Sequence, residues 1–213
     1  EDDRQPLHVA AFSGNARTIS LLLPHVPPDG LNAPSGDGLT PMHYAALSGS
    51  TSVVKLLIDA HAELDALDEE RRTALSWAAG EGHEGTVVAL LQARADVSLV
   101  DANGLGALHH AVKAAALGCA RALLQHGASA LQRTAGGELP EELARRCAGG
   151  GGGGGDAQLA AALVALLGGA AEAEALTRQQ ELIEQEAAAA KTPRNNRKKN
   201  KKQKEKRGGG GGG

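Results

Sequence analysis

A seven-residue phrase returns along this chain every 33 residues. Thr40-Pro41-Met42-His43-Tyr44-Ala45-Ala46 is followed by Thr73-Ala74-Leu75-Ser76-Trp77-Ala78-Ala79, then by Gly106-Ala107-Leu108-His109-His110-Ala111-Val112. An earlier copy, Gln5-Pro6-Leu7-His8-Val9-Ala10-Ala11, stands 35 residues before the second, and a worn fifth copy is Leu139-Pro140-Glu141-Glu142-Leu143-Ala144. A fixed period of this length makes each copy one small unit that cannot bury its apolar face alone, so at least three must stack. The chain is therefore expected to be a solenoid with nearest-neighbour packing.

Each period has one plan. A polar turn comes first: Ser35-Gly36-Asp37-Gly38, Asp68-Glu69-Glu70-Arg71 or Asp101-Ala102-Asn103-Gly104. Gly, Asn and Asp tolerate the positive φ of tight turns. A short helix then starts at Pro or Ala. Pro suits the first helical position, where its missing N–H would be unpaired anyway. Thr40 and Thr73 are expected N-caps. Paired alanines allow close approach of neighbouring helices, and Gly14, Gly49 and Gly82 end the helix. A second helix carries long apolar residues at i, i+3, i+4 spacing: Ile19, Leu22 and Leu23; Val53, Val54, Leu56 and Leu57; Val87, Val88, Leu90 and Leu91; Cys119, Ala122, Leu123 and Leu124.

Departures from the plan are informative. Gly127 ends its helix, but His61 and Arg94 stand at the equivalent positions, where a left-handed backbone costs about 1 kcal/mol. Val26-Pro27-Pro28-Asp29-Gly30 lengthens the first connection by two residues. Seven glycines, Gly149 to Gly155, split the fifth copy as a flexible insertion, after which Asp156 is the expected N-cap of a closing helix over 157–167. Ala170–Lys191 is rich in Ala, Glu and Gln, with Leu176, Ile183 and Ala190 seven apart; a solvated helix is expected, since so short a seam does not make a coiled coil.

Motif, period and helix pattern together resemble the ankyrin repeat, with its Thr-Pro-Leu-His-x-Ala signature. The resemblance covers about residues 2–169. It implies an all-α solenoid of about five helix-turn-helix repeats with hairpin-like turns. The expected organisation is a repeat domain over 1–169, a helix over 170–192 and a disordered basic and polyglycine tail over 193–213.

The resemblance also implies a non-enzymatic scaffold that holds another protein in a concave face made of turn tips and first helices. The residues carried onto that face are Phe12, Asp37, Leu39, Leu47, Ser48, Glu70, Arg72, Glu81, Asn103, Leu105 and Lys113. Phe12, Leu39, Leu47 and Leu105 are apolar where a solvated surface favours polar groups. Arg72 is expected to supply a bidentate carboxylate contact. The repeated histidines His8, His43 and His109 are implied to be structural ties, and Ser76 is expected to leave its rung without one. Rungs stack about 10 Å apart, too far for two such histidines to share a metal. Tyr44, Trp77 and His110 form one column, expected to pack between helices because Val9 and Leu143 occupy the same place.

Composition narrows the rest. Phe12, Tyr44 and Trp77 are the chain's three aromatic Phe, Tyr or Trp residues, so the core must be built from Ala, Leu and Val. Cys119 and Cys147 show no metal-ligand spacing and read as free thiols in a reducing compartment, which gives a cytoplasmic or nuclear expectation. No catalytic set, phosphate loop, cofactor motif, metal cluster or membrane-length apolar run is present. The chain starts at Glu1 rather than Met, which leaves room for further repeats or domains before it.

Charge is divided. Residues 191–207 hold ten Lys or Arg and one Glu, a charge of +9, against 12 basic and 24 acidic residues elsewhere, −12. Arg197, Lys198, Lys199, Lys201, Lys202, Lys204, Lys206 and Arg207 therefore offer a phosphate-binding run with no aromatic for base stacking. It suits a localisation signal or an acidic target. Two alternatives follow: a nucleic-acid- or ribosome-associated factor that contacts RNA or DNA through this tail, and a regulatory segment of a larger enzyme.

Overall fold

The computed structural model describes residues 4–148 and 154–191. Ten α-helices follow in order: α1 Pro6–Phe12, α2 Ala16–Leu22, α3 Pro41–Leu47, α4 Thr51–Asp59, α5 Ala74–Gly80, α6 Glu84–Gln92, α7 Ala107–Lys113, α8 Leu117–Gln125, α9 Pro140–Ala148 and α10 Gly154–Lys191. Contacts divide the chain into two compact units, Glu1–Glu172 and Ala173–Gly213.

The first unit stacks in two layers. First helices meet first helices, α1 on α3, α3 on α5, α5 on α7 and α7 on α9, while α2, α4, α6 and α8 form the second row. The paired alanines make this close approach feasible: Ala10, Ala11, Ala45, Ala46, Ala78, Ala79 and Ala111 are buried. Ile19, Val53, Leu57, Val87, Leu90, Cys119 and Leu123 fill the space between rows. Burial of each Leu or Val contributes roughly 1.5–3 kcal/mol, shared with the neighbouring rungs. Leu143, Leu163 and Leu167 belong to the same core, so the segment before Gly168 closes the stack as expected. Its helix starts at Gly154, ahead of Asp156; Gly149–Gly153 lie outside the described residues.

Turns project from the stack as hairpins. Asp101 N–H donates to Leu105 O at 3.0 Å and Val100 pairs with Gly106 in an isolated antiparallel bridge. On another edge, Asn32 accepts the Glu63 N–H and Asp65 accepts the Asp96 N–H, both at 2.9 Å and both 31 residues apart, so side-chain amide and carboxylate oxygens stitch successive rungs.

Among the described residues, four other than glycine have positive φ: His61 at 64°, Arg71 at 63°, Arg94 at 70° and Ala115 at 52°. His61 and Arg94 hold the left-handed conformation that their register predicts. Arg71 stands where Gly38 and Gly104 stand in neighbouring turns, and Ala115 where Gly14, Gly49 and Gly82 stand; neither is evident from turn composition.

In the second unit, residues 173–191 are the end of α10. Leu176, Leu182 and Ile183 are exposed, and Arg178 pairs with Glu174 at 2.6 Å. A solvated helix is what these exposures describe. No helix among the described residues is long and apolar enough to cross a membrane.

Candidate functional site

The first helices are held by their histidines. In each of three rungs the imidazole Nδ1 accepts a backbone N–H at the helix start: Gln5 to His8 at 3.0 Å, Thr40 to His43 at 3.1 Å and Gly106 to His109 at 3.1 Å. With Nδ1 accepting, Nε2 carries the hydrogen and donates to the next turn: Ala33 O at 2.8 Å, Arg72 O at 3.1 Å and Gln132 O at 3.1 Å. Burial lowers the pKa of all three below the ordinary imidazole value, which favours the neutral form. Ser76 bonds only locally, to Thr73, and that rung is joined to the next by Ala102 N–H to Glu70 O at 2.9 Å.

A second recurrence builds the groove. The turn acceptors Ser35, Asp68 and Asp101 each take a hydrogen bond from a side chain nine residues on: Tyr44 Oη at 3.2 Å, Trp77 Nε1 at 3.0 Å and His110 Nε2 at 3.1 Å. Asp68 is the most heavily used. Its carboxylate also accepts the N–H of Glu70 and of Arg72, and Arg72 Nε at 3.0 Å. Burial alone would raise its pKa, but these bonds outweigh burial and hold it below the usual carboxylate value. The Arg72 guanidinium lies 3.9 Å from the Trp77 ring centroid, a cation–π contact. Its Nη2 meets exposed Glu70.

Arg72, Trp77, Glu81, His110 and Lys113 with Ser76, Gly80 and Ala114 line a cleft of about 240 Å³ between α5 and α7. A Cβ at Gly80 would make ordinary contact with His110, at 3.7 Å. The His110 pKa is lowered, chiefly by burial, with Lys113 and Arg72 adding to the effect against Asp101. Earlier along the groove the surface is apolar. Phe12 is 55 % and Val9 56 % exposed, and Phe12 meets Tyr44 edge-on at 6.1 Å.

The expected surface residues divide by role. Phe12, Glu81, Asn103 and Lys113 are exposed, and Asp37 is exposed beside Arg4 at 3.7 Å. Leu47 and Leu105 are half-buried. Leu39 is half-buried too and packs against the core. Ser48 is half-buried, and its hydroxyl donates to Ala11 O and Ala45 O, tying two rungs together. Arg72 arrives already paired with Asp68 and Glu70, so a partner carboxylate must replace Glu70. Val9 corrects the packing expected for its column: it is exposed, whereas Leu143 in the same place is buried. Tyr44 is buried, whereas Trp77 and His110 are half-buried and line the cleft. Asp68 and Asp101 went unnoticed as organisers; their signal was the shared 33-residue spacing with Ser35. Arg197, Lys198, Lys199, Lys201, Lys202, Lys204, Lys206 and Arg207 lie outside the described residues.

The buried thiol of Cys119 is pushed up to about 11 by burial and by the Glu84 carboxylate, which keeps it protonated and unreactive at neutral pH. Among the described residues no cluster of three or more His, Cys, Asp or Glu is placed to hold a metal ion.

Comparison with curated proteins returns no match. The family model for ankyrin repeats in three copies matches residues 1–68 and 60–134, more than half of the chain. Stacked rungs, histidine ties and hairpin turns agree with that match, and the chain belongs to the ankyrin-repeat family.

Proposed function

We propose that this protein is a non-enzymatic scaffold that captures another protein in the groove formed by its first helices and turn tips. Ankyrin repeats are in general protein–protein interaction modules. The observation that carries the proposal is the exposure of Val9 and Phe12 on the first rung of a row of helices that further along holds a cleft whose Arg72 is stacked on Trp77. Large apolar side chains ringed by charge mark interaction patches, and ordering an arginine beforehand lowers the entropy cost of binding. The basic run at 191–207 then directs the complex to an acidic target, in the cytoplasm or nucleus.

Capture from native lysate by the full chain and by residues 1–190, with and without nuclease, tests the division. Partners retained by 1–190 and indifferent to nuclease support the groove. Partners lost with either treatment move the function to the tail. That second reading, nucleic-acid contact, draws support from the +9 charge of 191–207 and requires affinity that falls steeply with salt.

A further inference from the structure

We propose that the Arg72–Trp77–Lys113 cleft receives a side-chain carboxylate of an extended peptide whose apolar residue, about six positions away, rests on Phe12 and Leu47. This deepens the groove reading above and rests on it.

The groove changes chemistry along its length. Val9, Phe12 and Leu47 make its first two rungs apolar, whereas Arg72, Glu81, His110 and Lys113 make the third and fourth polar. A ligand that matches both ends must itself be apolar at one end and charged at the other. The sign follows from which charges are already spent. Asp68 and Asp101 are buried and fully engaged: Asp68 accepts from Glu70, Arg72 and Trp77, and Asp101 from Asn103, Leu105 and His110. Both face inward as acceptors within the fold and offer nothing to a ligand. The solvent-facing charges felt at the His110 ring are Lys113 and Arg72, both positive.

Arg72 is held from behind by Asp68 and stacked on Trp77, so its geometry is set before binding. Its other carboxylate, Glu70, is exposed, and an exposed pair contributes little. A ligand carboxylate can take its place with little loss. Lys113 is exposed across the cleft, with no acidic side chain within ion-pair distance among the described residues. Gly80 lines the same cleft. Glu81 on the rim opposes a second acid, so it sets the strength of the preference.

Spacing follows from the rungs. Phe12 and Leu47 occupy the first and second, and the cleft lies between the third and fourth. From the junction of the first two rungs to that of the third and fourth is two rungs at about 10 Å each, about 20 Å, spanned by about six residues of extended chain at about 3.3 Å per residue.

The test is selection of random twelve-residue peptides on the full-length chain, followed by affinities of the selected peptides for three variants. The expected result is enrichment of Asp or Glu about six positions from Phe, Leu or Trp. Lys113→Glu then weakens these peptides about tenfold or more, as like charges do at an interface, while Glu81→Lys strengthens them. Selected peptides without a carboxylate at that spacing, or an acidic preference unmoved by Lys113→Glu, overturn the carboxylate inference. In those cases sensitivity to Phe12→Asp separates the two levels: peptides still lost with Phe12→Asp leave the groove standing, and peptides indifferent to Phe12→Asp and Lys113→Glu alike remove both. All three positions are exposed, so the variants keep the fold.

Discussion

Trp77 Nε1 donates to the Asp68 carboxylate at 3.0 Å, and through that one buried acid the groove is joined to the turn that shapes it. Two backbone N–H groups and Arg72 Nε converge on the same side chain. Its replacement strands several donors at once. Asp68→Ala is expected to destabilise the chain by about 3 kcal/mol, read as a lower urea midpoint, with the Trp77 emission altered in the folded state. A loss below about 1 kcal/mol, the worth of one ordinary hydrogen bond, contradicts the organising role.

Acid is expected to weaken the fold through its histidines. Nδ1 of His8, His43 and His109 accepts a backbone N–H, so protonation there removes an acceptor. Burial lowers their folded pKa values below 6.5. The unfolded chain therefore takes up protons first as pH falls. The stability they contribute is complete above about pH 6.5 and declines below it toward the folded values, by up to about 1.4 kcal/mol per pH unit for each histidine. Thermal melts between pH 7.5 and 5 should show Tm falling, and less steeply in His43→Gln. A Tm that is flat or rises across this window contradicts the assignment.

Left-handed positions without glycine hold removable strain. His61, Arg94 and Ala115 have φ of 64°, 70° and 52°. Each substitution by Gly is expected to stabilise by about 0.5–1 kcal/mol. The three sites lie in different rungs, so their effects should add. Chemical denaturation of the single and triple variants measures this.

Two glycines with similar φ should respond very differently to alanine. Gly104, at 73°, faces the next turn, where a Cβ would stand 2.6 Å from Ala135 N. Gly127, at 92°, has nothing within 4 Å of that Cβ. Gly127→Ala should cost about 1–2 kcal/mol from backbone strain alone. Gly104→Ala should cost clearly more, because the Ala135 N–H to Asn103 O bond at 2.9 Å must also yield. Equal losses would show that the turns separate freely.

What recurred at a fixed interval was legible in the sequence. The paired alanines, the apolar second helices and the histidine ties repeat 33 residues apart, so one copy explains the others. The groove was legible only in outline. The exposure of Phe12, Glu81, Asn103 and Lys113 follows from register, whereas Leu39, Leu47, Ser48 and Leu105 are half-buried. Val9 does not share the burial of its column, where Leu143, equally apolar, is buried. The left-handed Ala115 carries no signal in its residue type; only its register with Gly14, Gly49 and Gly82 marks the helix end there.

The most direct test compares partner capture by the native chain, Phe12→Asp and Leu21→Asp. Both residues are exposed in the same rung, at 55 % and 66 %, but Phe12 ends the groove helix α1 and Leu21 lies on the second-row helix α2. Leu21→Asp is expected to retain the partner and Phe12→Asp to lose it, with both variants folded. Retention by Phe12→Asp together with loss by Leu21→Asp would place the binding surface on the other row of helices and contradict the central claim.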